Sequence, residues 1–508
     1  MLIGIGGYGL SRVPTGFLPI EDQGYLIGAV QLPDGASLER TQQVLDRAAD
    51  IIKDTPGVAQ VITIAGISAL DNSASLANAG VAYIILKDWD ARKGPGEDLR
   101  SLVYGLNDKL AVIMEARTLV LPPPPIQGIG NAAGFSMQVE LRDGNADFAK
   151  LQAITAAMVS NGQSQSALQR VQSSFRSSVP QFNVEIDRVK TQTLHVTTDA
   201  VFSALSTYLG SSYVNQFNKF GRVFQVYAQA DPAFRVTERD IANMMVRNSN
   251  GDMIPIGTVA KITPATGPSL ISLYNLYPSS TVIGLPAQGY SSGQSLKLME
   301  EIADKTLPPG TGYEWTAMSY QEKAVSNQIY WVFGLAMLLV YLVLAGQYES
   351  WYAPISVILA VSLSLIGPTL VLNGLKIDNN LYCQIGLILL IALSAKNAIL
   401  IVEVGLELHG RDGKPVLESA IEAARARFRP ILMTSFAFIL GVVPLVLATG
   451  AGASARKSIG ITVFSGMLAS TCLAVLFVPA FFVVVQRFEN WRASKKAPRA
   501  QPVAEVKH

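Results

Sequence analysis

Five stretches in the second half of the chain, residues 324–348, 350–375, 381–402, 430–455 and 458–486, are apolar and almost free of charge. Each exceeds the roughly 20 residues that carry an α-helix across a hydrocarbon core. One such run fits the core of a soluble protein; five in series point to a helical bundle in a bilayer. The composition agrees, with 15% charged residues and a mean hydropathy of +0.31, against about 25% charged in an ordinary globular domain. A formal charge of +2 leaves no electrostatic footprint for nucleic acid. Cys383 and Cys472 lie inside apolar runs and read as small buried residues, not as a disulfide framework or zinc site. His195, His409 and His508 show no metal-ligand spacing, so no metal is expected.

Basic residues orient the runs. The segment 410–429 carries Arg411, Lys414, Arg425, Arg427 and Arg429, and the tail carries Arg487, Arg492, Lys495, Lys496, Arg499 and Lys507. Both are expected in the cytoplasm, with Arg456 and Lys457 a minor exception. Counting back through an odd number of spans puts the large N-terminal part outside it. Residues 1–10 are apolar but half a span long, and they lack the basic flank and cleavage site of a signal peptide. They read as the last turns of a transmembrane helix, so the chain is expected to start mid-protein.

The polar part alternates in a repeating order. Strand 25–32, helix 37–55 with Ser37 as N-cap, and strand 58–64 are followed by strand 81–86, helix 98–114 and strand 117–121; a third copy begins with strand 135–141 and helix 147–159. Tandem strand–helix–strand units predict an α+β fold of the split βαβ, ferredoxin-like kind, with helices on one sheet face. LPPPPI at 121–126 and the Gly-rich run 128–134 mark a subdomain boundary. Strands 213–217 and 222–227 around Asn218, Lys219, Phe220 and Gly221 predict a hairpin.

A literal G-x-G-x-x-G at 4–9 lacks the preceding strand that dinucleotide binding needs. No Walker sequence, nucleophile elbow or HExxH run occurs, so no enzyme is expected. Lys396 stands near the middle of its span, where an ammonium costs about 2.5–3.5 kcal/mol and usually faces the bundle interior on an ion path. Its small neighbours Ala392, Ser394, Ala395 and Ala398 admit another helix. The nearest acid on its own helix, Glu403, lies about 10 Å along the axis. The other four spans hold no acid, so the partner is expected on a segment outside this sequence. Thr434 and Ser435 could bring hydroxyls to the same interior.

LSAKNAILIVE at 393–403 and RPILMTS at 429–435 carry a resemblance, together with FLPIEDQG at 17–24, LKDW at 86–89, GYEWTAMSYQE at 312–322 and GQYESW at 346–351. The chain resembles the C-terminal half of the hydrophobe/amphiphile branch of the resistance-nodulation-division (RND) efflux pumps, AcrB/MexB-like and closest to the MexF-like group. The resemblance implies a membrane protein with a transmembrane helix remnant at 1–10, a periplasmic porter subdomain at 11–128, and a second at 129–177 and 271–322. A docking subdomain at 178–270, five transmembrane helices at 323–486 and a cytoplasmic tail at 487–508 complete it. Lys396 with Asn397 beside it, Thr434 and Arg427 match a proton relay, whose aspartates belong to the missing N-terminal half. Proton-motive force, not a cofactor, would drive transport. The hairpin residues Asn218, Lys219, Phe220 and Gly221 match a tip facing an outer-membrane channel and a periplasmic membrane-fusion adaptor, in a homotrimer.

Drug-pocket positions fall on Tyr83, Thr63, Ile67, Leu70, Leu119 and Leu121. They are largely aliphatic where relatives carry aromatics, with less stacking surface, and the resemblance of GISALDN at 66–72 to the MexF-like group implies amphenicols and quinolones. The expected function is a proton/drug antiporter in a Gram-negative inner membrane, exporting small amphiphilic drugs, in contact with membrane lipids and no nucleic acid. A heavy-metal exporter of a sister branch would want methionine or carboxylate sites, and the 12 Met form no paired cluster in the spans. A membrane-anchored periplasmic sensor or translocation component would not require an ammonium at midspan.

Overall fold

The computed structural model describes residues 2–496 apart from positions 132 and 327. Met1 and residues 497–508, the end of the expected tail, lie outside the described residues. Contacts divide the chain into two compact units, one interrupted by the other at Phe175–Ile271.

The first unit opens with helix α1 (Leu2–Arg12) and an extended strap at 13–24. β1 (Tyr25–Gln31), α2 (Leu38–Lys53), β2 (Val58–Ile67), β3 (Ser75–Leu86), α3 (Leu99–Leu110) and β4 (Arg117–Leu121) follow. They form an antiparallel sheet of order β2-β3-β1-β4. Ser37 and Asp98 start the two helices by accepting the N–H groups of Arg40 and Ser101. Val44, Leu45, Ala48 and Ile52 recur at helical spacing and pack on Leu26, Val30, Ala82, Ile84 and Val120 of the sheet. Strand alternation therefore leaves Ile27, Ala29, Val81, Tyr83, Leu119 and Leu121 on the face away from the helices.

β5 (Phe135–Leu141), α4 (Phe148–Gln163) and β6 (Leu168–Gln172) begin a second copy, which the inserted unit interrupts. That unit contains β7 (Val179–Ile186), α5 (Arg188–Thr193), α6 (Thr198–Leu205), β8 (Ser212–Lys219), β9 (Arg222–Ala228) and α7 (Glu238–Asn243). It continues with β10 (Met245–Arg247), β11 (Met253–Pro255), α8 (Ile256–Val259) and β12 (Ala260–Gly267), the last pairing with β7. Val196, Val201, Ile241, Val246, Ile256, Val259 and Ile262 give it a core of its own.

The first unit resumes with β13 (Ser272–Tyr274), β14 (Tyr277–Pro286), α9 (Ser292–Thr306) and β15 (Thr311–Trp315). β14 pairs with β6 on one side and β5 on the other, and β5 pairs with β15. The order β6-β14-β5-β15 repeats β2-β3-β1-β4, so the unit holds two copies of one βαββαβ topology.

Among the described residues seven helices follow: α10 (Ala317–Ser326), α11 (Gln328–Tyr348), α12 (Ala353–Ser364), α13 (Ile366–Leu375), α14 (Leu381–Gly410), α15 (Val416–Val446) and α16 (Ala453–Lys496). Trp331–Tyr348, Ala353–Leu375, Leu381–Gly410 and Val416–Val446 are each long and apolar enough to cross a membrane. α16 makes a fifth if its halves, inclined at 59°, are one span. Pro479, about a turn past the break between Leu473 and Val475, offers no N–H to the carbonyl of Val475. The segment 410–429, which the basic residues suggest is a short loop between spans, is largely helical. α15 starts at Val416, so Arg425, Arg427 and Arg429 lie on it and Pro430 lies inside it, while Arg456 and Lys457 lie within α16. Charge marks where the apolar run ends, and the helix continues past that point.

Small residues let the helices approach closely. A Cβ on Gly367 of α13 would lie 2.1 Å from the carbonyl oxygen of Ser465 in α16. Gly6 and Gly9 of α1 face Ile366 and Thr369 of α13, so two glycines of the G-x-G-x-x-G run serve helix packing. The strap ties three parts together. Asn379 and Leu381, in and after the α13–α14 link, donate to the carbonyls of Pro14 (2.8 Å) and Phe17 (2.9 Å), and Gly293 of α9 donates to Thr15 (3.2 Å). Glu21 accepts the N–H groups of Ser454 (3.2 Å) and Ala455 (2.6 Å) at the start of α16.

Candidate functional site

The faces of the two sheets that carry no helices share a cavity of about 260 Å³. Leu119 and Leu121 of β4, Ser136 and Gln138 of β5, and Thr281 and Ile283 of β14 line it, with Leu70 and Asp71 from the loop after β2. The same alternation that buries one face of each strand under helices supplies these walls. Leu70, Leu119, Leu121, Ile283 and Leu285 form an apolar cluster. Gln138 and Thr281 bond each other across the strands (3.0 Å), and Ser68 and Ser174 donate to Asp71. Arg170 also lines the cavity and reaches Asp108 at 3.5 Å. Such a wall can hold the apolar body of a small molecule and hydrogen-bond its polar groups. Among the described residues, no group of three His, Cys, Asp or Glu could hold a metal ion.

Leu70, Leu119 and Leu121 of the candidate positions line the cavity. Tyr83 shares their sheet face, in the row Leu121–Ile27–Tyr83–Ile62, but stands outside the wall and is 38% exposed. Thr63 pairs with Ala82 and so takes the side that carries the helices; Ile62 and Ile64 take the other. Ile67, at the end of β2, is half-buried and outside the wall. Gln138, Thr281 and Arg170 were not singled out by sequence. Ser136, Gln138 and Glu140 do alternate with apolar residues along β5, a signal for a polar face, but the partner strand lies some 140 residues away.

The second candidate region is α14. Ser394, Ala395, Asn397, Ala398, Ile401 and Val402 are buried. Lys396 is exposed, on a stripe with Ile385, Leu389, Ala392 and Glu403 at helical spacing. The expected ammonium among packed helices is thus not found within this chain, because the small residues that seat neighbouring helices occupy the other side of α14. No carboxylate pairs with Lys396 among the described residues. Asn397 donates to Ser435 Oγ of α15 (3.4 Å), whereas Thr434 is exposed and bonds back to the carbonyl of Ile431 (3.1 Å). Ser435 is therefore the hydroxyl that meets α14. Arg427, two turns before Thr434, is half-buried, and its Nε has no hydrogen-bond partner among the described residues.

In the inserted unit, β8 and β9 form a hairpin tighter than expected. Lys219 pairs with Arg222, so Asn218 and Lys219 belong to a strand and the turn is Phe220-Gly221, with φ of 54° and 71°. Positive φ at both positions matches the right-handed twist of the strands. Phe220 is 85% exposed, with Lys219 Nζ 5.0 Å from its ring centre. Phe217 stacks on Phe224 at 5.5 Å, and Tyr213 meets Tyr227 edge-on at 5.6 Å.

The AcrB/AcrD/AcrF family matches residues 1–486. The chain is 40% identical over 478 residues to "Multidrug export protein AcrF" of Escherichia coli (strain K12), covering 94% of this chain and 46% of that protein. It is also 40% identical over 477 residues to "Toluene efflux pump membrane transporter TtgB" of Pseudomonas putida, covering 94% and 45%. The figures for "Multidrug resistance protein MdtF" of Escherichia coli (strain K12) are 40% over 478 residues, 94% and 46%. The chain spans about half the length of these relatives. A match that runs from the first helix through the last apolar span, over both sheets and the inserted unit, leaves one conclusion: the chain belongs to the AcrB/AcrD/AcrF family.

Proposed function

We propose that this chain is the C-terminal half of a proton/drug antiporter of the inner membrane, a secondary transporter that exports amphiphilic drugs and needs no cofactor. One observation carries the reading: Lys396 stands midway along an apolar helix of 30 residues, on an exposed stripe. An ammonium at that depth costs about 2.5–3.5 kcal/mol unless it is paired. An N-terminal half that covered the stripe with carboxylates would supply the pair. Protonating those carboxylates would release Lys396, and one charge crossing 100 mV supplies about 2.3 kcal/mol to bias a two-state element. Asn397, Thr434 and Arg427 are the other members of the relay in this reading.

The two βαββαβ copies are periplasmic porter subdomains, and the cavity between their sheets receives the drug. Its aliphatic walls, with Gln138 and Thr281 as hydrogen-bonding groups, suit small amphiphiles such as amphenicols and quinolones. The inserted unit is the docking subdomain of a homotrimer, with the Phe220-Gly221 tip toward the adaptor and the outer-membrane channel. Export should be measured in a pump-deletion strain carrying the complete pump. Lys396→Ala is expected to abolish drug resistance and substrate-coupled proton flux at unchanged expression. Resistance retained by Lys396→Ala overturns the proposal.

A further inference from the structure

Glu322 lies on α10, shortly ahead of the first apolar span, and belongs to neither the cavity nor the Lys396 stripe. Its Oε1 accepts the hydroxyl of Ser292 in the first turn of α9 (2.9 Å), and Ser292 Oγ accepts the N–H of Phe17 in the strap (3.2 Å). The approach is close, since a Cβ on Gly293 would stand 2.7 Å from the carbonyl oxygen of Thr15 and 3.4 Å from Glu322 Oε1. On its other side the strap is bonded to the α13–α14 link, where Asp378 Oδ2 would lie 3.5 Å from a Cβ on Gly16. The acid opens on a cavity of about 60 Å³ whose walls include Phe17, Leu18, Ile20, Leu296 and Met318. One carboxyl thus joins α9, α10 and the strap in a largely apolar setting.

We propose that Glu322 is a proton-binding site outside the membrane spans, whose occupancy sets how tightly the strap is held between α9, α10 and the α13–α14 link. Burial pushes its carboxyl up to about 7; the Ser292 hydroxyl and Lys323 oppose the rise, and the negative charge of Asp378 adds to it. Lys323, next along α10, is itself paired with Glu300 of α9 (2.7 Å). Burial raises Asp378 as well, against the pull of Arg100 on α3. Ionised, Glu322 and Asp378 oppose each other as like charges across the strap. Protonated, Glu322 no longer repels Asp378, and the strap closes. The sign follows from linkage. A carboxyl raised above its usual 4.5 binds its proton more tightly in the folded state, so its contribution to stability is complete below about 4.5 and lost as pH rises through about 7.

The test uses the complete pump in lipid, without substrate or gradient, so its outcome is independent of the transport reading. Between about pH 6 and about pH 8, a group titrating near 7 passes from about a tenfold excess of acid to a tenfold excess of anion. Infrared difference spectra across this interval should show a protonated-carboxyl band in the wild type that Glu322→Gln lacks. Hydrogen exchange at Gly16, Asn379 and Leu381, corrected for intrinsic rates, should be several-fold slower at the acid end in the wild type. In Glu322→Gln it should stay slow at both ends. Glu322→Asp retains an ionisable group and should keep a pH response, which guards against misfolding of the Gln variant. A carboxyl band unchanged in Glu322→Gln, or strap exchange independent of pH in the wild type, overturns the proposal.

Discussion

Asn107 does the work of a neighbouring strand. It is buried on α3, donates to the carbonyls of Val103 (2.7 Å) and Val120 (2.9 Å), and accepts the N–H of Val120 (2.9 Å). β4 is an edge strand paired only with β1 in its sheet, and the amide closes part of its free side. Replacing it with Leu leaves two backbone groups of Val120 buried and unpaired, at about 1–3 kcal/mol each. Asn107→Leu should therefore lower the thermal unfolding midpoint clearly, while Asn107→Asp should rescue only part of the loss. Nothing in the sequence distinguishes Asn107 from an ordinary polar helix residue. Lys396 stands out in the sequence because a lone charge in an apolar run has few explanations, but the exposed side of α14 that it takes could not be read there. Gln138 and Glu322 were not legible, because each acquires its meaning from a partner brought in by folding, and the sequence did not separate Ser435, which meets α14, from Thr434, which does not.

At the level of elements, hydropathy located the apolar spans but misplaced their ends. α15 begins 14 residues before Pro430 because a charged, amphipathic first half continues into an apolar second half. Strand and helix positions in the first βαββαβ copy were readable from alternation and, for α2, from the cap Ser37. The parity of Thr63 was not, since it depends on the register with β3. Helix contacts escape hydropathy too. A methyl group at Gly367 would meet a backbone oxygen of α16 at 2.1 Å, and a backbone atom cannot swing aside as a side chain can. Gly374, on the same helix, has nothing within 4 Å. Gly367→Ala should cost about 1–3 kcal/mol through overpacking, whereas Gly374→Ala should be neutral or slightly stabilising. Thermal unfolding of the two variants side by side in detergent decides the point.

Across the whole molecule, the duplicated topology was only partly visible. The second copy begins with β5 and α4, but 97 inserted residues separate β6 from its return strands, and their pairing is beyond any local pattern. The insertion carries its own buried cluster and closes with the β7–β12 ladder. Residues 175–271 expressed alone should therefore fold cooperatively, giving a sigmoidal thermal transition and dispersed amide resonances; a gradual, featureless melt would show that the core depends on the rest of the chain. The strap has a different consequence. Its links to Asn379, Leu381 and Gly293 run from main chain to main chain, so apart from the tight fit of Gly16 against Asp378 the identity of the residues between Pro14 and Phe17 matters little to them. A one-residue deletion there would shift every later bond by about 3.3 Å. Mutational drift in this stretch should accordingly spare length and spend itself on letters.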